Sequence, residues 1–176
     1  MPVVIVAAYA ADGSICAMNA AWAQISDMDK IALFIYADHK TTKNIMETKA
    51  FTVSIADVPN MAPADFFGIA TGNKMPDKFE RSGCHAVKSE FGNAPVITEF
   101  PVAIECELAE EINTPNMHAI VGKIVNVSAD EQVIGDKDKI LPEKVNALIF
   151  DQYRSGYFAV GEKVGQAWNA GKDLMK

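Results

Sequence analysis

Hydrophobic and polar positions along this chain group into short runs of strand character, with few stretches of helical period. Val3 to Tyr9 is apolar and rich in β-branched residues, the pattern of a buried strand. "ADGS", Ala11 to Ser14, reads as a turn in which Gly13 supplies φ > 0, and Cys16 to Trp22 reads as the returning strand. Lys30 to Ala37 and Phe51 to Ala56 predict two more strands, with a short helix over Thr41 to Lys49 between them. "APADFFGIATG" (Ala62 to Gly72) and "MPDKFERSG" each place a proline in a first helical turn and a glycine at the end, so each predicts a short helix.

Beyond these helices, "PVAIECELAEEI" and "MHAIVGKIVNVSA" flank the turn residues "NTPN". In the first, Val102, Ile104, Cys106 and Leu108 alternate with Glu105 and Glu107. In the second, neither the face of His118, Ile120, Gly122 and Ile124 nor that of Ala119, Val121, Lys123 and Val125 is polar, so both need cover. The tail "VGEKVGQAWNAGKDLMK" predicts a terminal helix or arm. No repeat or Pro/Gly-rich linker divides the chain. The pattern is a mainly β, barrel-dominated single domain over residues 1–176, with six or more strands and short inserted helices.

Composition narrows the function. The 49% hydrophobic content of 176 residues supplies a substantial core. A balance of 16 basic against 23 acidic residues, net −7, argues against nucleic acid and anionic membrane as partners. "MPVVIVAAYA" is similar to the apolar part of a signal peptide, but no Lys or Arg precedes it and Asp12 soon follows. No run approaches the roughly 20 apolar residues of a membrane span. The expectation is a soluble cytoplasmic protein. Cys16, Cys84 and Cys106 form no CxxC pair and no zinc spacing, so they read as reduced, packed thiols. His85 adjoins Cys84, but adjacent residues seldom form a nucleophile–base pair. Asp77 and Glu80 read as the solvated face of a short helix.

The densest polar stretch is "DHKTTKNI", Asp38 to Ile45, between two strand-like runs. With Thr41 as cap, the first-turn amides of the helix lack intrahelical partners and carry partial positive charge. Lys40 adds a full charge, and the Thr41 and Thr42 hydroxyls add hydrogen bonds, a set suited to a phosphate. Spacing alone leaves open a plain capped helix with solvated lysines. "MNAAWAQIS" sets Asn19 and Trp22 either side of two alanines, which lets a flat ligand approach the backbone while Asn19 bonds a ring edge or sugar hydroxyl. A core-filling Trp22 is the competing reading.

Four segments together, in order and over nearly the whole chain, resemble the flavin reductase-like, FMN-binding split β-barrel proteins, a family that includes flavoredoxins. They are "MNAAW", "HKTTKNI" followed by "AFTVSIA", "GIATGNKMPDKF", and "MHAIVGKIV" with the closing "YFAVGEKVGQAWNAGK". The resemblance implies a six-stranded Greek-key split barrel with a C-terminal arm, and a homodimer holding non-covalent FMN near the subunit interface. It places the FMN phosphate on Lys40, Thr41 and Thr42, with Asn19, Ala20 and Trp22 along the ribityl chain and ring. Thr71, Gly72 and Lys78 are further phosphate or ring contacts. His118 is the one catalytic candidate, either near a nicotinamide or a strand-end histidine bonded to a neighbouring loop, the reading preferred. The implied role is electron transfer, as an NAD(P)H-dependent flavin reductase or as a flavoredoxin-like carrier fed by a redox protein partner. Alternatives are a non-catalytic holder of FMN or another phosphorylated cofactor, and an oxidase of a phosphorylated pyridoxine compound.

Overall fold

The structure, a computed structural model, describes residues 1–175; Lys176, the end of the expected arm, lies outside the described residues. The chain opens with four strands, β1 (Val4–Tyr9), β2 (Ile15–Ala20), β3 (Ala23–Asp27) and β4 (Lys30–Leu33), then helix α1 (Lys40–Thr48) and β5 (Ala50–Ile55). Helices α2 (Met61–Ile69) and α3 (Lys78–Arg81) follow, then a small hairpin of β6 (Ala86–Lys88) and β7 (Pro95–Ile97). The long strands β8 (Val102–Thr114) and β9 (Met117–Ala129) come next. A short α4 (Pro142–Val145) and the hairpin of β10 (Leu148–Asp151) and β11 (Gly156–Ala159) close the body.

The main sheet is antiparallel, in the order β2-β1-β5-β8-β9-β4-β3. Its two ends are halves of one strand, interrupted only at Ala21 and Trp22. The first half pairs with β1 and the second with β4. Counted once, this bent strand closes a circuit of six and leaves a split at its corner: the mainly β, six-stranded split barrel that the sequence predicts. The Greek-key step is the passage from β4 to β5, made through α1.

Period-2 alternation sorts the side chains. Val4, Val6, Leu33, Phe51, Val53 and Ile120 face the barrel interior, and Ile45 of α1 joins them at 0% exposure. The opposite faces of β1 and β2 pack Ile5, Ala7 and Ala17 against Phe67 of α2 and Phe79 of α3, whose rings stack at 6.2 Å. α1 ends where Lys49 turns left-handed (φ 60°) and its amide bonds the Ile45 carbonyl at 2.9 Å.

Several predicted boundaries move. The strand expected to reach Ala37 stops at Leu33; the Phe34 amide makes one more bond, to the Trp22 carbonyl, and residues 34–37 leave the sheet. The strand expected over Cys16 to Trp22 ends at Ala20. Gly13 has the expected positive φ, 84°. Residues 160–175 form an exposed arm ending in one 3-10 turn (Lys172–Met175), with Val164 and Trp168 in solvent. No α-helix forms there, and residues 161–172 make backbone hydrogen bonds only to one another and to Leu174. Among the described residues no helix is long and apolar enough to cross a membrane.

The β6–β7 hairpin is fastened to the barrel's outer face by two buried polar groups. The Thr52 hydroxyl donates to the Pro95 carbonyl at 2.6 Å. Glu105, 2% exposed, accepts from the hydroxyls of Ser89 and Ser128, and from the Asn126 amide at 2.7 Å. Burial pushes its carboxyl up, but the three donors outweigh that and hold it below the ordinary glutamate value. A depressed carboxyl stabilises the fold above its unfolded value and loses that contribution as pH falls through the folded one. Denaturant titrations should therefore show stability falling below about pH 4.3, with a shallower fall in Glu105→Gln. Glu105→Ala should cost about 2–3 kcal/mol at pH 7.

Candidate functional site

The split at Ala21 and Trp22 opens onto a groove built from three adjoining cavities of about 150, 340 and 260 Å³. The smallest is polar and sits at the start of α1. His39, not Thr41, holds the cap position; its side chain makes no capping bond, and the helix begins at Lys40. That corrects the expected start by one residue. Among the described residues the amides of Lys40, Thr41 and Thr42 have no acceptor, as befits a helix N-terminus.

The corner residues divide. Lys40 and Thr41 line the polar cavity, with the Thr41 hydroxyl 3.3 Å from the Cys16 sulfur. Thr42 is buried, and its hydroxyl donates to the Tyr36 carbonyl at 2.8 Å, which leaves only its amide unpartnered at the corner. Thr71 and Gly72 line the same cavity. A Cβ at Gly72 would stand 2.7 Å from the Cys16 sulfur and 3.2 Å from the Lys40 Cβ, so only glycine leaves the space open.

Lys78 is the electrostatic centre of this cavity. It is 3% exposed, and its ammonium donates to two carbonyls at the end of α2, Phe67 at 3.2 Å and Ala70 at 2.8 Å. No carboxylate pairs with it among the described residues. Burial lowers its pKa. A desolvated cation with one hydrogen still to donate, beside free helix-start amides, is a cost the empty fold carries and an anion relieves. His39 adds a second irregularity: its Nδ1 is buried without a partner, and burial pushes the ring below its ordinary value.

The middle cavity shares Met18, Asn19, His39 and Gly68 with the first and is mostly apolar. Ala20 and Ala21 line it, while Trp22 stands at its rim, 53% exposed, and is not the core-filling residue of the competing reading. Asn19 donates to the Ala64 carbonyl at 2.9 Å, which leaves its own oxygen to accept from a ligand. Across from it the Tyr157 hydroxyl donates to Asp65 at 2.8 Å; burial, with that carboxylate, pushes the phenol up to about 12. The third cavity continues past Trp22 to His118. That ring is held from both sides, Nδ1 to the Ile35 carbonyl at 2.6 Å and Nε2 to the Glu111 carboxylate at 2.9 Å. This is the strand-end histidine bonded to a loop.

His39, Asp65, Tyr157 and the aromatic wall of Phe34 and Tyr36 were not among the sequence candidates. Only the polarity of "DHKTT" hinted at His39; β11 brings Tyr157 from far along the chain. His85 bonds Glu99 at 2.8 Å while burial pushes the Cys84 thiol up, and Asp77 pairs with Arg81 at the surface.

The split six-stranded barrel is the fold of the flavin reductase-like proteins. The family described as flavin reductase like domain matches residues 1–157, and the chain belongs to it. The arm lies beyond the matched residues. The flavoredoxin of Desulfovibrio vulgaris (Miyazaki F) is 34% identical, with 97% of this chain and 92% of that chain covered and a TM-score of 0.91. The flavoredoxin of Methanosarcina acetivorans shares the fold at 24% identity and TM-score 0.91, over 99% and 92% of the two chains. An uncharacterised protein of Aquifex aeolicus is 31% identical over 119 residues, 65% of this chain and 54% of its own length. The chain spans about half the length of the curated relatives it matches.

Lys78 makes a direct prediction. Inorganic phosphate should stabilise the protein by about 1.4 kcal/mol at tenfold its Kd, read as a melting-temperature rise against chloride of equal ionic strength. Lys78→Met should abolish most of that rise. Because burial lowers Lys78, the unfolded chain holds that proton more tightly, so stability should increase with pH toward the ordinary lysine value of about 10.4. The variant should lack this increase.

Proposed function

We propose that the chain is an FMN-binding electron-transfer flavoprotein. The observation that carries this reading is Lys78, a buried cation without a counter-ion, at a helix start that opens into an apolar slot. A flavin mononucleotide presents the matching sequence of parts: a dianion, a polyol chain and a flat ring system. Lys40, Lys78, the Thr41 hydroxyl and the free amides of Lys40 to Thr42 would hold the phosphate, with Thr71 and Gly72 walling it. Asn19, Asp65 and Tyr157 supply polar partners for the chain of hydroxyls. Ala20, Ala21 and Trp22 bound the ring. The bound flavin supplies the redox chemistry; the protein binds, orients and shields it.

The state of His118 favours a carrier fed by a reduced protein partner over an NAD(P)H-dependent reductase. With both ring nitrogens engaged, no donor of that side chain remains for a nicotinamide. A non-catalytic FMN store on the same barrel is separated from both by whether reduced protein passes electrons on. The three free buried cysteines fit a reducing, cytoplasmic setting.

FMN should bind more tightly than riboflavin, and Lys40→Ala should weaken FMN about tenfold, for a lost charge-assisted bond of about 1.5–3 kcal/mol, with riboflavin little changed. Fluorescence titration of the two flavins checks this, and equal affinities in the native chain would remove the assigned role of the corner. A homodimer is the companion proposal, supported by the exposed apolar side chains of the arm, Val164, Trp168 and Leu174. Light scattering should report about twice 19.1 kDa, and deleting residues 161–176 should shift the protein toward monomer.

A further inference from the structure

The outer cavity, past Trp22, is a second ligand site, and we propose that it takes a small uncharged ring carrying carbonyl groups, of the quinone class, as the electron acceptor. Its position rests on the flavin reading of the slot; its existence as a site does not. Trp22, Phe34, Ile35 and Tyr36 line both the slot and the outer cavity, so a molecule in one lies against the same wall as a molecule in the other. That adjacency is what an acceptor needs.

The chemistry of the remaining wall selects the ligand. Three large aromatic side chains stand exposed there, Trp22 at 53%, Phe34 at 46% and Tyr36 at 73%. Aromatic faces of this kind attract a flat ring. The indole N–H of Trp22, the hydroxyl of Tyr36 and the carboxamide of Asn116 have no hydrogen-bond partner among the described residues. All three are neutral groups with hydrogens to donate, the complement of a carbonyl oxygen.

Among the described residues no Lys or Arg lines this cavity; Lys40 and Lys78 line the polar end instead. His118 is the one ring that could carry charge, and the Glu111 carboxylate already faces it. The net charge of −7 adds negative potential to the approach. A pyrophosphate-bearing nicotinamide dinucleotide would find repulsion here and no counter-charge. At about 260 Å³ the space also falls below the roughly 300–1,000 Å³ that drug-sized ligands occupy. A one- or two-ring molecule suits it. A quinone held there becomes the hydroquinone by gaining two electrons and two protons, which a dihydroflavin in the slot gives up on return to its oxidised form.

The chain contains two tryptophans, so Trp168→Phe leaves Trp22 as the sole indole reporter of the cavity. The probe is 2,3-dimethyl-1,4-naphthoquinone, which has no free quinone carbon for thiol addition. Titrated into Trp168→Phe, with and without saturating FMN, it should quench Trp22 emission saturably in both cases. In calorimetry with the native protein as reference, Trp22→Ala should weaken its binding about tenfold, while NAD⁺ and ADP-ribose should give no saturable signal. Absence of saturable quenching, or saturable binding of either nucleotide, would overturn the proposal. So would displacement of the quinone by FMN, since that places it in the slot. Failure of FMN itself to bind, with quinone binding intact, would sink the flavin reading and leave the second site standing.

Discussion

One strand serves two neighbours, and the groove depends on it. Ile15–Ala20 is hydrogen-bonded to β1 and Ala23–Asp27 to β4, so the chain must bend at Ala21 and Trp22 to close the barrel. Every backbone group at a closed corner must still find a partner, and the bond from Phe34 to the Trp22 carbonyl is part of that settlement. The bend leaves a gap that only small side chains can border. Ala20 and Ala21, each less than a tenth exposed, do so, while the large indole is turned outward to the rim. The ligand groove is thus a by-product of closing six strands with a single kinked one.

The groove's two ends obey different physics. At the polar end, helix amides, Lys40 and Lys78 concentrate positive charge in a small, largely dehydrated space within an acidic molecule. Among the described residues the aromatic end is lined by no Lys or Arg, and its one histidine is already committed to a carboxylate. A ligand lying along the groove is therefore oriented by its charge before its ring is fitted, since a reversed pose would bury a dianion among aromatics.

Much of the barrel was legible because its strands carry the period-2 signal: Ile104, Cys106 and Leu108 are found inward or packed against the interior, while Val102 of the same alternation packs with Val133 and Val145. The bend was not legible. "AQISD" in β3 alternates only over Ala23 to Ser26, too short a run to mark it as the continuation of β2, and it is mostly exposed. The polar corner was readable from local composition, since Lys40 and Thr41 are neighbours in sequence and line one cavity. Thr42 misled for the same reason: its hydroxyl looks like a ligand donor until the Tyr36 carbonyl is seen above it. Lys78 was a candidate only through the family resemblance, and its burial was not legible, because the carbonyls that bury it come from the end of α2, eight and eleven residues upstream. Tyr157 and Asp65 are 92 residues apart, and only the tertiary fold pairs them.

The Tyr36 carbonyl pinned by Thr42 has a further consequence. One residue before it, the Ile35 carbonyl is pinned by His118; four residues after Tyr36 the amide run of α1 begins at the polar cavity, and Ile45 plugs the barrel. The span from Leu33 to Ile45 is thus held from outside at Phe34 by the Trp22 carbonyl, at Ile35 by His118, at Asp38 by Asn73 and at Ile45 by the barrel core. Between such fixings, side chains can be exchanged as long as shape is kept, but a residue cannot be added or removed without pulling one fixing out of place. For this loop, length is the specification and sequence the adjustable part.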